Sequence, residues 1–76
     1  MKAYILINIR PGAVKEVVKN VGRLDHVLEA HMTFGQYDAV AVVETEDLPH
    51  LGSLISAEIQ PIPGVLKTLT CLAVEI

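Results

Sequence analysis

Four consecutive residues, Gly35-Gln36-Tyr37-Asp38, carry the densest polar chemistry in the chain: a glycine, an amide, a phenol and a carboxylate. A plain turn is one reading, since glycine admits positive φ and Asp readily bonds its own backbone. Ligand binding is the other. Free N–H groups beside a fixed carboxylate suit a zwitterion, the amides taking an α-carboxylate and the carboxylate an α-ammonium.

Other chemistry is sparse. There is no phosphate-cradling glycine loop, no Cys/His pair at metal spacing and no nucleophile elbow, and Arg10-Pro11-Gly12-Ala13 lacks the Cys-x-x-Cys of a metal carrier. No metal or other cofactor is expected. Glu29 and His31, two apart, could form an acid–base pair. No nucleophile or oxyanion donors accompany them, so the stronger reading is two polar residues at a strand end facing a subunit interface, satisfying each other or meeting water. His50 falls in a helix's first turn and is expected in solvent. Cys71, the one cysteine, sits among apolar neighbours and reads as a small core residue on the helix-covered face of a sheet. Phe34, next to Gly35, either packs at a contact between subunits or closes a pocket.

The elements that must position these groups follow from periodicity. Lys2 to Arg10 alternates, with Ala3, Ile5, Ile7 and Ile9 on one face, and Pro11-Gly12 ends that strand. Val14, Val17, Val18 and Val21 form a helical stripe closed by Gly22. A second strand runs through Leu28, Ala30 and Met32 on one face and Val27, Glu29, His31 and Thr33 on the other. The turn at Phe34–Asp38 leads into Ala39–Thr45 as an antiparallel hairpin. Asp47 caps a second helix through Leu48, Leu51, Leu54, Ile55 and Ile59, which Gln60-Pro61-Ile62-Pro63-Gly64 terminates. A last strand from Val65 to Ile76 sets Leu66, Thr68, Thr70, Leu72 and Val74 against Leu69, Cys71 and Ala73.

The order is βαββαβ, and Leu24–Glu29 after the first helix echoes Ile62–Lys67 after the second. Right-handed crossovers place both helices on one face of a four-stranded antiparallel sheet, an α+β, ferredoxin-like fold. The bare face is expected to carry Tyr4, Leu6, Val27, Ala39, Ala41, Val43, Leu66, Leu72 and Val74, too apolar for water, so a sheet-to-sheet homodimer, a dimeric α+β barrel, is expected.

Composition agrees with this reading. Seventy-six residues, half of them apolar, make one domain over 1–76 with more apolar surface than one small core can hide. A net charge of −3 without a basic cluster argues against direct nucleic-acid binding. No signal segment or run long enough for a membrane span is present, so a cytoplasmic protein is expected.

Thr33-Phe34-Gly35-Gln36-Tyr37-Asp38 before an apolar strand, Ile62-Pro63-Gly64-Val65-x-x-Thr68-x-Thr70 further on, Ile9-Arg10-Pro11-Gly12 and Asp47-Leu48 together resemble the leucine-responsive regulator/AsnC family, in its C-terminal effector domain. The resemblance implies a domain that dimerises through its sheets, assembles dimers into octamers or decamers and binds free amino acids between dimers. Gly35, Gln36, Tyr37 and Asp38 then match the family's effector loop, with Asp38 as ligand carboxylate, and Thr68 and Thr70 match its last-strand threonine pair. Full-length members carry an N-terminal helix-turn-helix, whereas here Met1 runs straight into the first strand. A stand-alone sensor is therefore expected, acting through partners such as full-length relatives.

The leading reading is an amino-acid-sensing regulatory domain rather than an enzyme. Asp38 is expected to be dispensable for folding and required for ligand response. The rival is a dimeric α+β-barrel enzyme, an isomerase or cofactor-free oxygenase using His31 and Glu29, which needs an intersheet cavity that Leu6, Val43 and Leu72 would fill. A third reading is a purely structural assembly module.

Overall fold

β1 (Lys2–Ile9) is the hub of the sheet: it pairs antiparallel with β3 (Ala39–Glu44) on one side and β4 (Val65–Leu72) on the other. The computed structural model describes residues 1–76. β2 (Val27–Met32) pairs with β3, giving the order β2-β3-β1-β4 with every pairing antiparallel, as the βαββαβ reading requires. Two helices complete the α+β, ferredoxin-like arrangement: α1 (Val14–Gly22) and α2 (Leu48–Ser53), which continues without a break as a π-helical segment, Leu54–Ile59. No helix is long and apolar enough to cross a membrane.

Helix and strand starts obey local chemistry. Asp47 caps α2 by accepting the His50 N–H at 2.9 Å, and Pro49 sits in the first turn, where its missing donor costs nothing. The valine stripe of α1 turns Val17 and Val21 into the core. The core joins them to Ala3, Ile5, Ile7 and Ile9 of β1, Ala39, Ala41 and Val43 of β3, and Leu51, Leu54 and Ile59 of the second helix. Each fully buried Ile or Leu contributes about 1.5–3 kcal/mol.

The two half-repeats are alike in backbone as well as sequence. Val27 N–H donates to Leu24 C=O at 3.3 Å and Val65 N–H to Ile62 C=O at 3.1 Å, closing equivalent turns. Their equivalent residues, His26 (φ +75°) and Gly64 (φ +101°), are both left-handed. Each turn is followed by a register shift, between Val27 and Glu29 in β2 and opposite Asn8/Ile9 in β4.

Those shifts, and the register of β3, correct the expected bare face. Ala39, Ala41 and Val43 stand opposite Ile7, Ile5 and Ala3 and are buried under the helices. Val27 pairs with Val43 and packs on the same core. Leu72 lies opposite Ala3 and so also faces the helix side. The open face is instead Tyr4, Leu6 and Asn8 of β1, Val40 and Val42 of β3, Glu29 and His31 of β2, and Lys67, Leu69 and Cys71 of β4. Cys71 is therefore exposed opposite Tyr4, not a core residue. β4 stops at Leu72 rather than Ile76; its last ladder contact is Ala73 N–H to Lys2 C=O at 2.9 Å, and Val74 and Ile76 are exposed.

Candidate ligand-binding loop

The six residues from Thr33 to Asp38 join β2 to β3, and their conformation is set by contacts with the end of β1. Thr33 closes the loop twice, its N–H donating to Asp38 C=O at 3.0 Å and its Oγ1 to Tyr37 C=O at 2.7 Å. Asn8, on the open face of β1, donates from Nδ2 to Gln36 C=O at 2.9 Å. Gly35 has φ +144° and is exposed, with no atom near the position of a side chain. Phe34 is fully exposed.

Asp38 has a structural task that the sequence did not suggest. Its Oδ2 accepts the Ile9 N–H at 2.7 Å, and its own N–H donates to Ile7 C=O at 2.9 Å. The carboxylate thus satisfies a β1 donor where the β1–β3 ladder ends. Asp38 therefore has more structural justification than the sequence suggests: its loss leaves the N–H of the buried Ile9 unpaired.

What remains free is the upper part of the loop. The N–H groups of Phe34, Gly35, Gln36 and Tyr37 donate to no protein acceptor, and Asp38 Oδ1 makes no protein hydrogen bond. Donors and a carboxylate oxygen therefore lie within one short loop that five hydrogen bonds hold in place, an arrangement that suits a small zwitterion. Asn8 was missed by sequence reasoning. Its signal was a strand-disfavoured residue at the end of an otherwise apolar alternation.

Thr68 and Thr70 do not join this loop within one chain. They lie on β4, at the far edge of the sheet, opposite Ile7 and Ile5 on the helix side. Thr68 is in the same row as Ala39 but two strand spacings away, about 10 Å. Its hydroxyl accepts from Gln60 Nε2 at 3.1 Å.

At the opposite end of the β2–β3 hairpin a cleft of about 290 Å³ is lined by His26, Thr45, Glu46, His50, Ser53, Leu54 and Glu58. The donor atoms of Glu46, Asp47 and His50 lie within 4.8 Å of one another, and all three residues are exposed. The Asp47 carboxylate already serves as the cap of α2 and contacts His50 Nδ1 at 2.6 Å. The bond from the His50 N–H, and then the ring contact, hold the Asp47 carboxyl below its ordinary value. The same ring contact raises the His50 imidazole. Helix capping accounts for this cluster. His31 Nε2 and Glu29 Oε1 are 3.0 Å apart and exposed, satisfying each other as expected.

Known proteins resemble the chain over nearly its whole length. The sequence model of the "Lrp/AsnC ligand binding domain" matches residues 2–76. The HTH-type transcriptional regulator FL11 of Pyrococcus abyssi is 33% identical over 75 residues, covering 99% of this chain and 49% of that protein. The chain thus spans about half the length of the curated relatives it matches. The crystal structure of TTHA0845 from Thermus thermophilus superposes with a TM-score of 0.93 at 31% identity, covering 99% of this chain and 94% of that one. The transcriptional regulator NMB0573 of Neisseria meningitidis, solved as an L-Met complex, shares the fold, with a TM-score of 0.87 at 17% identity over 97% of this chain and 49% of that one.

Proposed function

The chain belongs to the Lrp/AsnC ligand-binding domain family, and from that premise we propose that it senses a free amino acid at the Gly35–Asp38 loop and passes the signal on through its assembly. Membership of this family makes it a regulatory ligand-binding domain of transcriptional regulators, not an enzyme, and the isomerase or oxygenase reading on His31 and Glu29 falls away.

One observation carries the proposal: free N–H groups from Phe34 to Tyr37 adjoin the unshared Asp38 Oδ1 on a loop braced by Asn8, Thr33 and Ile9. The amides take the effector's carboxylate, and Asp38 Oδ1, with the Gln36 and Tyr37 side chains, takes the ammonium and flanks the side chain. The L-Met carried by the distant relative NMB0573 supports this class of effector. The loop is open on its outer side, so a second subunit completes the pocket. Thr68 and Thr70 contribute, on this reading, from that subunit.

The domain, one unit over 1–76, forms a homodimer through its open sheet face and assembles into an octamer or decamer. It acts on transcription in the cytoplasm through partners, full-length family members among them. Binding at equivalent interfaces couples ligand to assembly by mass action. Thermal unfolding with each of the twenty amino acids tests the reading. At least one should raise Tm in a dose-dependent way, and Asp38→Asn should remove that rise. If none of the twenty shifts the transition, the loop is an assembly element only.

A further inference from the structure

The row of the sheet nearest the candidate loop is polar from edge to edge. Asn8 of β1 stands opposite Lys67 of β4, on the open face. On the other side of β1, Ala39 pairs with both Ile7 and Met32, so one step toward the loop brings Asp38 and Thr33 into line with Asn8. The Thr33 N–H closes that end of the row on Asp38 C=O at 3.0 Å. One row further in, Val40, Leu6 and Leu69 are apolar. Thr33, Asp38, Asn8 and Lys67 therefore form the polar border of the open face, directly beside the loop.

Charge along this border is lopsided. Asp38 is its one carboxylate, and Oδ2 is committed to the Ile9 N–H at 2.7 Å. Lys67 is exposed and belongs to none of the ion pairs of the chain. Arg10, which follows Ile9 at the same end of β1, is likewise exposed and without an ion pair. The free N–H groups from Phe34 to Tyr37 add further donors. Two places for a carboxylate, the loop amides and Lys67, thus stand beside one place for an ammonium, Asp38 Oδ1. A neutral amino acid leaves Lys67 unanswered, and a basic one brings a second cation toward it, which costs affinity. An acidic amino acid answers all three. Asp38 and Lys67 are two strand spacings apart, about 10 Å between backbones. The long lysine stem and the effector's own side chain divide that gap, with the uncharged Asn8 between them.

We propose, on the reading of the loop as an amino-acid site, that the effector is an acidic amino acid, glutamate before aspartate, and that Lys67 determines this specificity by taking the side-chain carboxylate. The loop amides hold the α-carboxylate and Asp38 Oδ1 the α-ammonium, while the effector's side chain lies over Asn8 with its carboxylate at Lys67 Nζ. Lysine suits this task as a mobile point charge with three rotatable donors. The longer side chain of glutamate closes the gap better than that of aspartate. Arg10 raises the local positive potential without a direct contact.

Isothermal titration of the 76-residue chain with glutamate and with glutamine, which has the same shape without the charge, tests this. Glutamate should bind about tenfold more tightly than glutamine at low salt. That ratio should fall toward one as ionic strength rises, because the pair at Lys67 is solvent-exposed. Lys67→Gln should bring the ratio close to one, and Lys67→Glu should invert it. A ratio between two ligands of one shape is not imitated by a general loss of stability. Should Lys67→Gln bind neither ligand, the salt dependence of the wild-type ratio decides, and a ratio that salt does not move overturns the proposal. Glutamine bound as tightly as glutamate, or a preference that Lys67→Gln leaves intact, also overturns it. The loop's role as an amino-acid site survives those results as long as one of the twenty binds. If none binds, both readings fall.

Discussion

The carboxylate of Asp38 accepts the Ile9 N–H at 2.7 Å, tying the candidate loop to the end of β1 through the residue best placed to bind an ammonium group. Two functions thus share one side chain. Asp38→Ala orphans that N–H and should cost about 1–3 kcal/mol in urea unfolding, whereas Asp38→Asn keeps an acceptor and should cost less. Equal losses for the two would show that the Ile9 bond does not matter to stability.

Asn8 is the second brace of the loop, through Gln36 C=O at 2.9 Å. Asn8→Ala should cost only about 1 kcal/mol, since the bond is exposed. It should nevertheless weaken any amino-acid response, because a looser loop must be ordered on binding. Isothermal titration of the variant with whichever amino acid stabilises the wild type checks this.

His26 and Gly64 occupy equivalent turns, yet only Gly64 adopts positive φ without a Cβ penalty. His26→Gly should therefore raise stability by about 0.5–1 kcal/mol, the relief of a left-handed side chain less the added freedom of the unfolded glycine. Gly64→Ala should do the reverse by about 2 kcal/mol or more, because its Cβ would meet Ala13 Cβ at 2.9 Å and Val17 Cγ2 at 3.0 Å. Midpoints in denaturant measure both.

The Asp47–His50 pair sets a pH window. His50 is raised in the fold, so its contribution is whole below the ordinary value of 6.5 and fades as pH climbs through the raised one. Asp47 is lowered, so its contribution is whole above 3.8 and fades as pH falls through the lowered value. NMR titration of the His50 ring should give a midpoint above 6.5 that Asp47→Asn returns toward it.

Leu69 is 44% exposed on the open face, midway along the edge strand β4 and opposite Leu6, with Cys71 two residues on. If that face is the dimer interface, Leu69→Asp should yield monomers by light scattering. Cys71 should then react with a thiol reagent faster in the variant than in the wild type. Equal reactivity and unchanged mass would place the dimer contact elsewhere.

Much of the fold was legible in the sequence because its signals are local. The Ala3–Ile9 alternation, the α1 valine stripe, the Asp47 cap and the Leu24–Glu29 echo of Ile62–Lys67 each report on neighbours a few residues away. Of the candidate site, the loop's position and its glycine could be read. Its fastening could not, because Asn8 and Ile9 meet Gln36 and Asp38 only through a pairing of strands nearly thirty residues apart.

By itself the sequence determined the element order, the helix faces, the βαββαβ topology and the family likeness of the Thr33–Asp38 segment. Only the tertiary structure decided which face of each strand meets the helices. Ala39-Val40-Ala41-Val42-Val43 is apolar on both sides, so periodicity offers two equal choices, and pairing of Ala41 with Ile5 selects one. In β2 the register shift after Val27 breaks the alternation, and in a period of two a one-residue slip moves a side chain to the opposite face. That shift lets Val27 pack on the core, while pairing with Ala3 and Tyr4 of β1 puts Val43 inside it and Cys71 outside. Strand pairing is also why Asp38 anchors β1 as well as bounding the candidate site.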